Sequence, residues 1–320
     1  MPAITKYLTD ILYKTEPVET PPPITTSTAI LLLLLYTILY VIPFYLSPKT
    51  RPSAQLSRDA PSVIRGRITS VSLTCAVTSL STLAVLVVKG GYENHQAFHA
   101  MGYWPLGLGE SFRALLLTAL LFLGPLFETL VVEGYWKEWM TGEPVKELLG
   151  DWVTWRNLVA GPLTEELLFR SAAIPLMILA RTSLTKTIFV SPLVFGLAHV
   201  HHLYEFRITH PGVPLPAAIL RSVFQLGYTT LFGAYATFVY LRTGSLLAVF
   251  GVHVLCNTMG LPRVYGAVMG RRRGKGGEET EVPVARWWSV AYYVLLVVGA
   301  VGWWKELWAL TESGNALVAM

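Results

Sequence analysis

Two glutamates and an arginine lie close together in an otherwise apolar stretch, residues 161–170. A charged side chain at the middle of a membrane helix costs roughly 2.5–3.5 kcal/mol, so such groups must face a polar interior or a wet cavity. Glu166 and Arg170 are four residues apart on one helical face, where they can pair. Glu165 lies about 100° round the helix from Glu166 and has no cation four residues on. Its carboxylate is therefore available for acid–base chemistry.

Two further apolar stretches carry polar side chains without an obvious local partner. One ends at His199, with His201 and His202 next to it, and the other contains His253 and Asn257. His253 and Asn257 are four residues apart and share a helical face, so both can present donors to one point. A single ion pair or a lone histidine can be purely structural, locking a helix into a bundle. Polar groups on three separate helices instead favour a shared functional site.

The same residue types could in principle bind a metal, because two carboxylates and two histidines suit zinc or iron. The chain has no H-E-x-x-H motif, no G-x-S-x-G motif, no phosphate loop and no dinucleotide fingerprint. Its two cysteines, Cys75 and Cys256, form no C-x-x-C pattern and are expected to pack as small apolar residues. What remains is a carboxylate with imidazoles, which can polarise water unaided, so we predict neither a metal nor a cofactor.

The elements that position these residues must be membrane helices. Hydrophobic residues make up 53% of the chain and charged residues only 14%, against roughly 25% charged in a soluble domain. The mean hydropathy of +0.49 agrees, and together these values exclude a disordered chain. The net charge of +5 does not indicate nucleic-acid binding, because the basic residues form short clusters between apolar runs. The sequence predicts an all-α, polytopic membrane bundle of about eight helices around a polar intramembrane cavity.

Apolar stretches near the 20-residue length of a membrane span define the predicted helices and regions. The predicted spans are residues 28–46, 68–88, 112–133, 157–180, 186–201, 217–241, 244–261 and 286–308. The predicted regions are a polar N-terminal segment (1–27), N-terminal transmembrane helices (28–135), a catalytic helical core with the polar motifs (136–262), a basic loop (263–285), and a last transmembrane helix with its tail (286–320). Residues 134–156 have both charge signs and amphipathic spacing, which is typical of an interfacial helix.

The distribution of basic residues predicts the orientation in the membrane. When the predicted spans alternate, most Lys and Arg residues fall on the same side as residues 48–67, which places that side in the cytosol. Both termini then lie on the opposite side. The four candidate site groups fall in the cytosolic half of the membrane, so we predict a cavity open to cytosolic water; they are Glu165, His199, His253 and Asn257.

The polar motifs resemble those of a known family, the Ras-converting CAAX endopeptidases (CAAX prenyl protease 2). Three motifs carry the resemblance, in order and on separate predicted helices: Glu165-Glu166-x-x-x-Arg170, Phe195-x-x-x-His199 and His253-x-x-x-Asn257. The motif-bearing region covers about residues 150–260, and the eight-helix layout extends the similarity over most of the remainder. The first three predicted spans carry no motif that matches.

The resemblance implies an intramembrane protease of the glutamate type in the endoplasmic reticulum membrane. Its substrates would be farnesylated or geranylgeranylated CAAX proteins such as Ras-type GTPases, which would lose their last three residues, and membrane lipid would be its other partner. By the same resemblance, Glu165 with His199 would activate the attacking water. His253 and Asn257 would hold the oxyanion, and Glu166 and Arg170 would support the site.

Two non-enzymatic interpretations remain open, because a fold alone does not determine function. The first is a membrane scaffold on a related helical fold, which would be expected to lose the first glutamate or one of the histidines. The second is a proton-coupled transporter, which would be expected to show paired repeats with broken helices. The chain keeps the complete set of motif residues and has no internal sequence symmetry, so the protease interpretation is favoured.

Overall fold

The computed structural model describes residues 21–53, 55–273 and 279–320, and these residues are predominantly helical. The all-α fold predicted from the sequence is therefore confirmed. Most of the predicted polar segment 1–27 lies outside the described residues.

The helices follow one another along the chain with short connections. Before the motifs they are α1 (Thr26–Val41), α2 (Pro43–Leu46), α3 (Pro61–Val88), α4 (Asn94–Ala100), α5 (Leu108–Leu121), α6 (Leu123–Phe127), a π-helix π1 (Glu128–Val132), α7 (Trp136–Thr141), α8 (Glu143–Gly150) and α9 (Trp152–Trp155). From the first motif onward they are π2 (Arg156–Ala160), α10 (Gly161–Glu166), π3 (Leu167–Ala172), α11 (Ile174–Leu179), α12 (Leu184–Ala198), α13 (His201–Thr209), α14 (Leu215–Thr243), α15 (Leu246–Met259) and α16 (Arg286–Leu310).

Three helices of the described chain are long and apolar enough to cross a membrane: Thr26–Leu46, Pro61–Val88 and Arg286–Leu310. They correspond to the first, second and last predicted spans. The third predicted span is bent by 83° between Leu108–Leu121 and Leu123–Val132, so it forms one broken span or a re-entrant loop. This is a multi-pass membrane fold, and the count of eight crossings stays a prediction.

The remaining predicted spans are helical but differ from straight rods. Residues 156–179, called the motif segment below, are not one α-helix, because π2 precedes α10 and π3 follows it. π-helical turns occur most often at functional sites, where they redirect side chains. Between the sixth and seventh predicted spans the chain makes a tight turn, with Gly244 in the left-handed region at φ 58° and Ser245 capping α15.

Two connecting regions contain more structure than the sequence indicated. Residues 134–156, predicted as one interfacial helix, form the three short helices α7, α8 and α9 before the chain enters π2. Within the predicted basic loop, strand β1 (Met269–Arg273) pairs antiparallel with strand β2 (Glu279–Pro283). Residues 274–278 of the predicted basic loop lie outside the described residues.

Helices α1 and α3 hold the motif segment in place, although they carry no motif. The Tyr40 hydroxyl of α1 lies 3.1 Å from the Thr164 hydroxyl, and the Cys75 thiol of α3 donates to the Thr164 carbonyl at 3.3 Å. Further along, the Thr82 hydroxyl donates to the Ala172 carbonyl at 2.9 Å. Side-chain partners of this kind satisfy the backbone of a helix whose own hydrogen bonding is irregular. The first two predicted spans therefore position the motif segment.

Candidate active site

The two adjacent glutamates of α10 face different surroundings. The Glu165 side chain is 21% exposed, and it faces a cavity that opens at one end of the bundle. The Glu166 side chain is 0% exposed. Consecutive residues on a helix are about 100° apart, so this division follows directly from the helical geometry. It matches the separation of a paired and an available carboxylate predicted from the sequence.

Glu166 lies at the centre of a buried charge network. Its Oε1 accepts a hydrogen bond from Arg170 Nη1 at 3.1 Å, which is the pair that the four-residue spacing predicts. The same oxygen lies 2.6 Å from Nδ1 of His253 on α15. Opposite charges in a dry interior stabilise the fold only when geometry and further hydrogen bonds are good. Here two groups from different helices share one carboxylate oxygen.

Arg170 is fully buried and contacts two other helices. Its Nη2 donates to the Gly233 carbonyl of α14 at 3.2 Å, and its guanidinium lies over the rings of Phe195 at 4.8 Å and Phe232 at 5.7 Å. A Cβ atom on Gly233 would lie 3.3 Å from Arg170 Nη2 and 2.8 Å from Pro192 Cβ. Glycine at this position lets α14 approach closely enough for its carbonyl to reach the guanidinium.

The contacts of His253 determine which of its nitrogens faces Glu165. Because a carboxylate only accepts, His253 Nδ1 carries the proton in its bond to Glu166. Its Nε2 points toward Glu165 and lies 3.8 Å from Oε2 of that residue. The buried carboxylate thus orients the imidazole, as the acidic partner does in hydrolases with a catalytic histidine. Of the candidate imidazoles, His253 contacts Glu165.

His199 and Asn257 line the same cavity as Glu165 but have other hydrogen-bond partners. His199 Nδ1 lies 2.9 Å from the Phe195 carbonyl oxygen and must donate to it, so a neutral ring keeps an unprotonated Nε2. Asn257 Nδ2 donates to the Asn157 carbonyl at 3.0 Å. Among the hydrogen bonds of the described residues, none joins His199 to Glu165. The structure thus brings Glu165, His199 and Asn257 to one cavity, with the buried His253 next to Glu165, but it does not pair Glu165 with His199.

The cavity has a volume of about 320 Å³, at the lower end of the range for ligand sites. One wall is apolar, with Tyr40, Phe44 and Phe169, and the candidate site groups lie on the motif segment, α12 and α15. This cavity, named the site cavity, is therefore shaped by helices from both the N-terminal and the motif-bearing regions.

Another part of the site-cavity lining, called the charged wall, carries charges that sequence reasoning did not select. Arg58, Arg67 and Arg156 line it, and Glu205 and Asp59 are their carboxylate partners. Burial alone would raise the pKa of Glu205. The hydrogen bond from His202 and the charge of Arg67 instead hold this pKa at about 2. The only sequence signal for these residues was their position in short charged segments beside apolar runs, which is also the pattern of ordinary loops.

One cluster of the described residues has the donor set and spacing of a metal site. His201, His202 and Glu205 each offer one ligand atom, and these atoms lie within 4.8 Å of one another. However, Arg67 lies 2.6 Å and Arg58 3.5 Å from the Glu205 carboxylate oxygens. Two guanidinium groups already neutralise this carboxylate and would repel a metal cation. The donor set therefore does not fit a divalent metal well.

Comparison with protein families gives a match over the motif-bearing region. A family model described as "Type II CAAX prenyl endopeptidase Rce1-like" matches residues 148–259, which include every motif residue named above.

Individual relatives extend the similarity beyond the motifs. The protein is 34% identical over 280 residues to a "Probable CAAX prenyl protease 2" of Schizosaccharomyces pombe, covering 88% of this chain and 92% of that protein. It is 37% identical over 228 residues to the human "CAAX prenyl protease 2", covering 67% of each chain. The Arabidopsis thaliana protein of that name is 47% identical over 111 residues, 35% of each chain. No solved structure matches this chain.

Proposed function

Because this chain belongs to the Rce1-like family of type II CAAX prenyl endopeptidases, and is accordingly a membrane peptidase, we propose how it acts and on what. It removes the C-terminal tripeptide from farnesylated or geranylgeranylated CAAX proteins, Ras-type GTPases among them. Glu165 activates the water that attacks the peptide bond. The observation that carries this proposal is the partly exposed Glu165 carboxylate in a cavity with imidazoles, beside a second glutamate that is fully buried and paired.

The first chemical step needs a base for water and a donor for the oxyanion. Glu165 accepts a proton from water as the water oxygen attacks the scissile carbonyl carbon. The carbonyl oxygen becomes an oxyanion, and the Asn257 amide and His253 are placed to donate to it. His253 acts through Nε2, and the hydrogen bond from its Nδ1 to the buried Glu166 carboxylate orients the ring. The Nε2 of His199 lies free at the same cavity to accept or relay a proton.

The second step returns the proton and releases the product. The tetrahedral intermediate collapses, the carbon–nitrogen bond breaks, and Glu165 gives its proton to the leaving amine. The tripeptide amine and the new carboxyl group of the prenylated cysteine are the products. In both steps the proton moves through a carboxylate or an imidazole of the site.

The test uses purified protein in detergent and a farnesylated CAAX peptide, with the released tripeptide measured by mass spectrometry. The expected result is release from the wild-type chain and none above background from a folded Glu165→Gln variant. A folded wild-type sample that releases no tripeptide would favour the scaffold interpretation. A transporter would likewise release none.

We also propose that the protein lies in the endoplasmic reticulum membrane with the site cavity open to the cytosol. The asymmetry of basic residues supports this orientation, and so does the arrival of prenylated proteins from the cytosol. Tyr204 is 55% exposed and lies in α13, next to the site cavity. In a chain without Cys75 and Cys256, a Tyr204→Cys variant should react with an impermeant thiol reagent added outside sealed microsomes. Reaction only after permeabilisation would invert the orientation.

A further inference from the structure

The charged wall of the site cavity holds more cations than its carboxylates neutralise. Arg58 lies in the segment between α2 and α3, Arg67 on α3, and Arg156 at the start of π2. The carboxylates that contact them are Glu205 and Asp59. Three guanidinium groups therefore share two carboxylates at this wall.

The two carboxylates are committed to Arg67 and Arg156. Arg67 Nη2 lies 2.6 Å from Glu205 and also donates to the Thr50 carbonyl at 2.9 Å. Arg156 Nη1 donates to Asp59 at 2.7 Å. Both arginines are thus held in place by short hydrogen bonds, which charged partners strengthen.

Arg58 has the longest carboxylate contacts of the three guanidinium groups. Its contacts to Glu205 and Asp59 are 3.5 Å and 3.8 Å long, and among the described residues its side chain makes no hydrogen bond. Burial lowers the pKa of Arg58, and although Glu205 opposes this shift, the charges of Arg156 and Arg67 add to it. The side chain is still 40% exposed, so an anion can reach it. A carboxylate of the substrate would supply the short hydrogen bonds that the Arg58 guanidinium lacks.

The distance from this wall to the catalytic carboxylate suits a short peptide. Arg156 precedes Glu165 by nine residues on the motif segment, roughly 13 Å at helical rise. The Arg156 guanidinium contacts the Arg58 backbone carbonyl at 3.4 Å, so the two arginines are neighbours. An extended tripeptide spans at most about 10–11 Å. The backbone separation exceeds this length, but the side chains of Arg58 and Glu165 both extend into the site cavity and shorten the gap. A chain cleaved beside Glu165 can therefore place its end near Arg58.

We propose that Arg58 binds the free α-carboxylate of the substrate's last residue and thereby sets cleavage three residues from the end. This inference rests on the proposed function. A guanidinium and a carboxylate form two parallel hydrogen bonds, which fix position as well as contribute affinity. Arg67 and Arg156 hold the surrounding wall, and Arg58 is the substrate-binding group. A peptide whose terminal carboxylate is capped, or displaced by extra residues, is a poor substrate for this reason.

The experiment compares two farnesylated peptides that differ only at the C-terminus, one ending in a carboxylate and the other in a carboxamide. The wild-type chain is expected to cleave the carboxylate peptide with a kcat/KM roughly 10- to 100-fold higher, the range for a hydrogen-bonded charged pair. Arg58→Gln should lower kcat/KM for the carboxylate peptide to near that of the carboxamide. Its kcat/KM for the carboxamide should fall far less, so that the ratio of the two constants approaches one.

Arg51→Gln is the matched control, because Arg51 is an exposed arginine of the same connecting segment that does not line the site cavity. It should keep the full preference for the carboxylate. Arg58→Lys keeps the positive charge but not the planar guanidinium, so it should keep part of the preference for the carboxylate peptide. This variant tests the proposal if Arg58→Gln does not fold. Thermal unfolding in detergent identifies that case.

The outcomes distinguish a failure of carboxylate binding by Arg58 from a failure of the proposed function. If the wild-type chain cleaves neither peptide, the proposed function fails. If it cleaves both equally, or if folded Arg58→Gln keeps the preference, carboxylate binding by Arg58 is wrong. If Arg58→Gln lowers cleavage of both peptides equally, and only in micelles containing anionic lipid, Arg58 binds a lipid headgroup instead.

Discussion

Glu165 and Glu166 are neighbours on α10 with identical side chains, yet they belong to two different regions. The buried region comprises Glu166, Arg170 and their contacts with Gly233, and it excludes solvent. The cavity region comprises Glu165 and the polar groups around it, and it is partly exposed. Carboxylates in dry surroundings need a fixed cation, whereas a carboxylate beside water can exchange protons. The two carboxylates therefore differ in their surroundings. We expect mutations in the buried region to change the stability of the fold, and mutations in the cavity region to change turnover.

The largest expected effect is on turnover and comes from the cavity region. Glu165→Gln should lower the rate of tripeptide release by about 10²–10⁴-fold, the usual contribution of a general base. The unfolding temperature should barely change, because no hydrogen bond of the described residues uses this side chain. Initial rates and thermal unfolding, measured on the same detergent sample, check both parts. Wild-type turnover in this variant would remove Glu165 from the mechanism.

The next effect is on stability and comes from the buried region. Arg170→Met leaves the Glu166 carboxylate without its cation, which should destabilise the fold by about 3–5 kcal/mol. Denaturation in detergent measures this loss. Combining Arg170→Met with Glu166→Gln removes both charges, so the double variant should be more stable than Arg170→Met alone. Equal stability of Arg170→Met and the wild type would show that the pair is not needed for folding.

A smaller loss of turnover should follow removal of an oxyanion donor from the cavity region. Asn257→Ala should reduce kcat by about 10²–10³-fold, the usual cost of losing one such donor. KM should change less, because the contact strengthens only in the transition state. His253→Ala should lower kcat at least as much, since it also removes a partner of Glu166. Weaker binding at unchanged kcat would reassign Asn257 to substrate recognition.

The close approach of α14 to Arg170 predicts a moderate effect in the buried region. Gly233→Ala should destabilise the protein by about 1–3 kcal/mol, the usual result of overpacking, because its Cβ would meet Pro192. Gly227→Ala is the control on the same helix, where a Cβ would meet nothing within 4 Å. That change should be neutral or stabilising, since alanine favours a helix. Equal unfolding temperatures for the two variants would contradict the close packing at Gly233.

Removal of metal ions is expected to have no effect on turnover. Prolonged dialysis against a strong chelator should leave turnover unchanged, because a carboxylate and imidazoles suffice to activate water. The Glu205 cluster is also already neutralised by arginines. Loss of activity that added zinc restores would overturn this prediction and place a metal in the cavity region.

Sequence reasoning predicted local features better than features that depend on distant contacts. The Glu166–Arg170 pair could be predicted because its four-residue spacing lies within one helical turn. The π-helical turns on either side of α10 could not, because backbone hydrogen-bond register is not encoded in residue type alone. The contact of Glu165 with His253 was also missed, since the two residues are 88 positions apart and only packing of α15 joins them. Packing brings together distant polar groups, and no spacing rule reports it.

The same limit explains the charged wall. Arg58 lies in a connecting segment, Arg67 lies on α3 and Glu205 lies on α13. In the sequence, each of them resembles an ordinary charged residue at a membrane surface. Their juxtaposition follows from how α3 and α13 pack at the mouth of the site cavity. The membrane spans show a related limit: hydropathy found the apolar stretch 112–133, but it does not report the 83° bend within it, which lies just before Gly124 and Pro125.

Biosynthesis gives the placement of Arg170 a further meaning. The ribosome makes His253 87 residues after Glu166, which takes about 4–17 s at the usual rate of synthesis. Throughout that interval the newly made motif segment must remain in or beside the bilayer without α15. Arg170, one turn from Glu166, can neutralise it as soon as that turn forms, whereas a cation on a later helix would arrive too late. A chain with the cation moved to α15 could restore the folded pair and would still insert poorly.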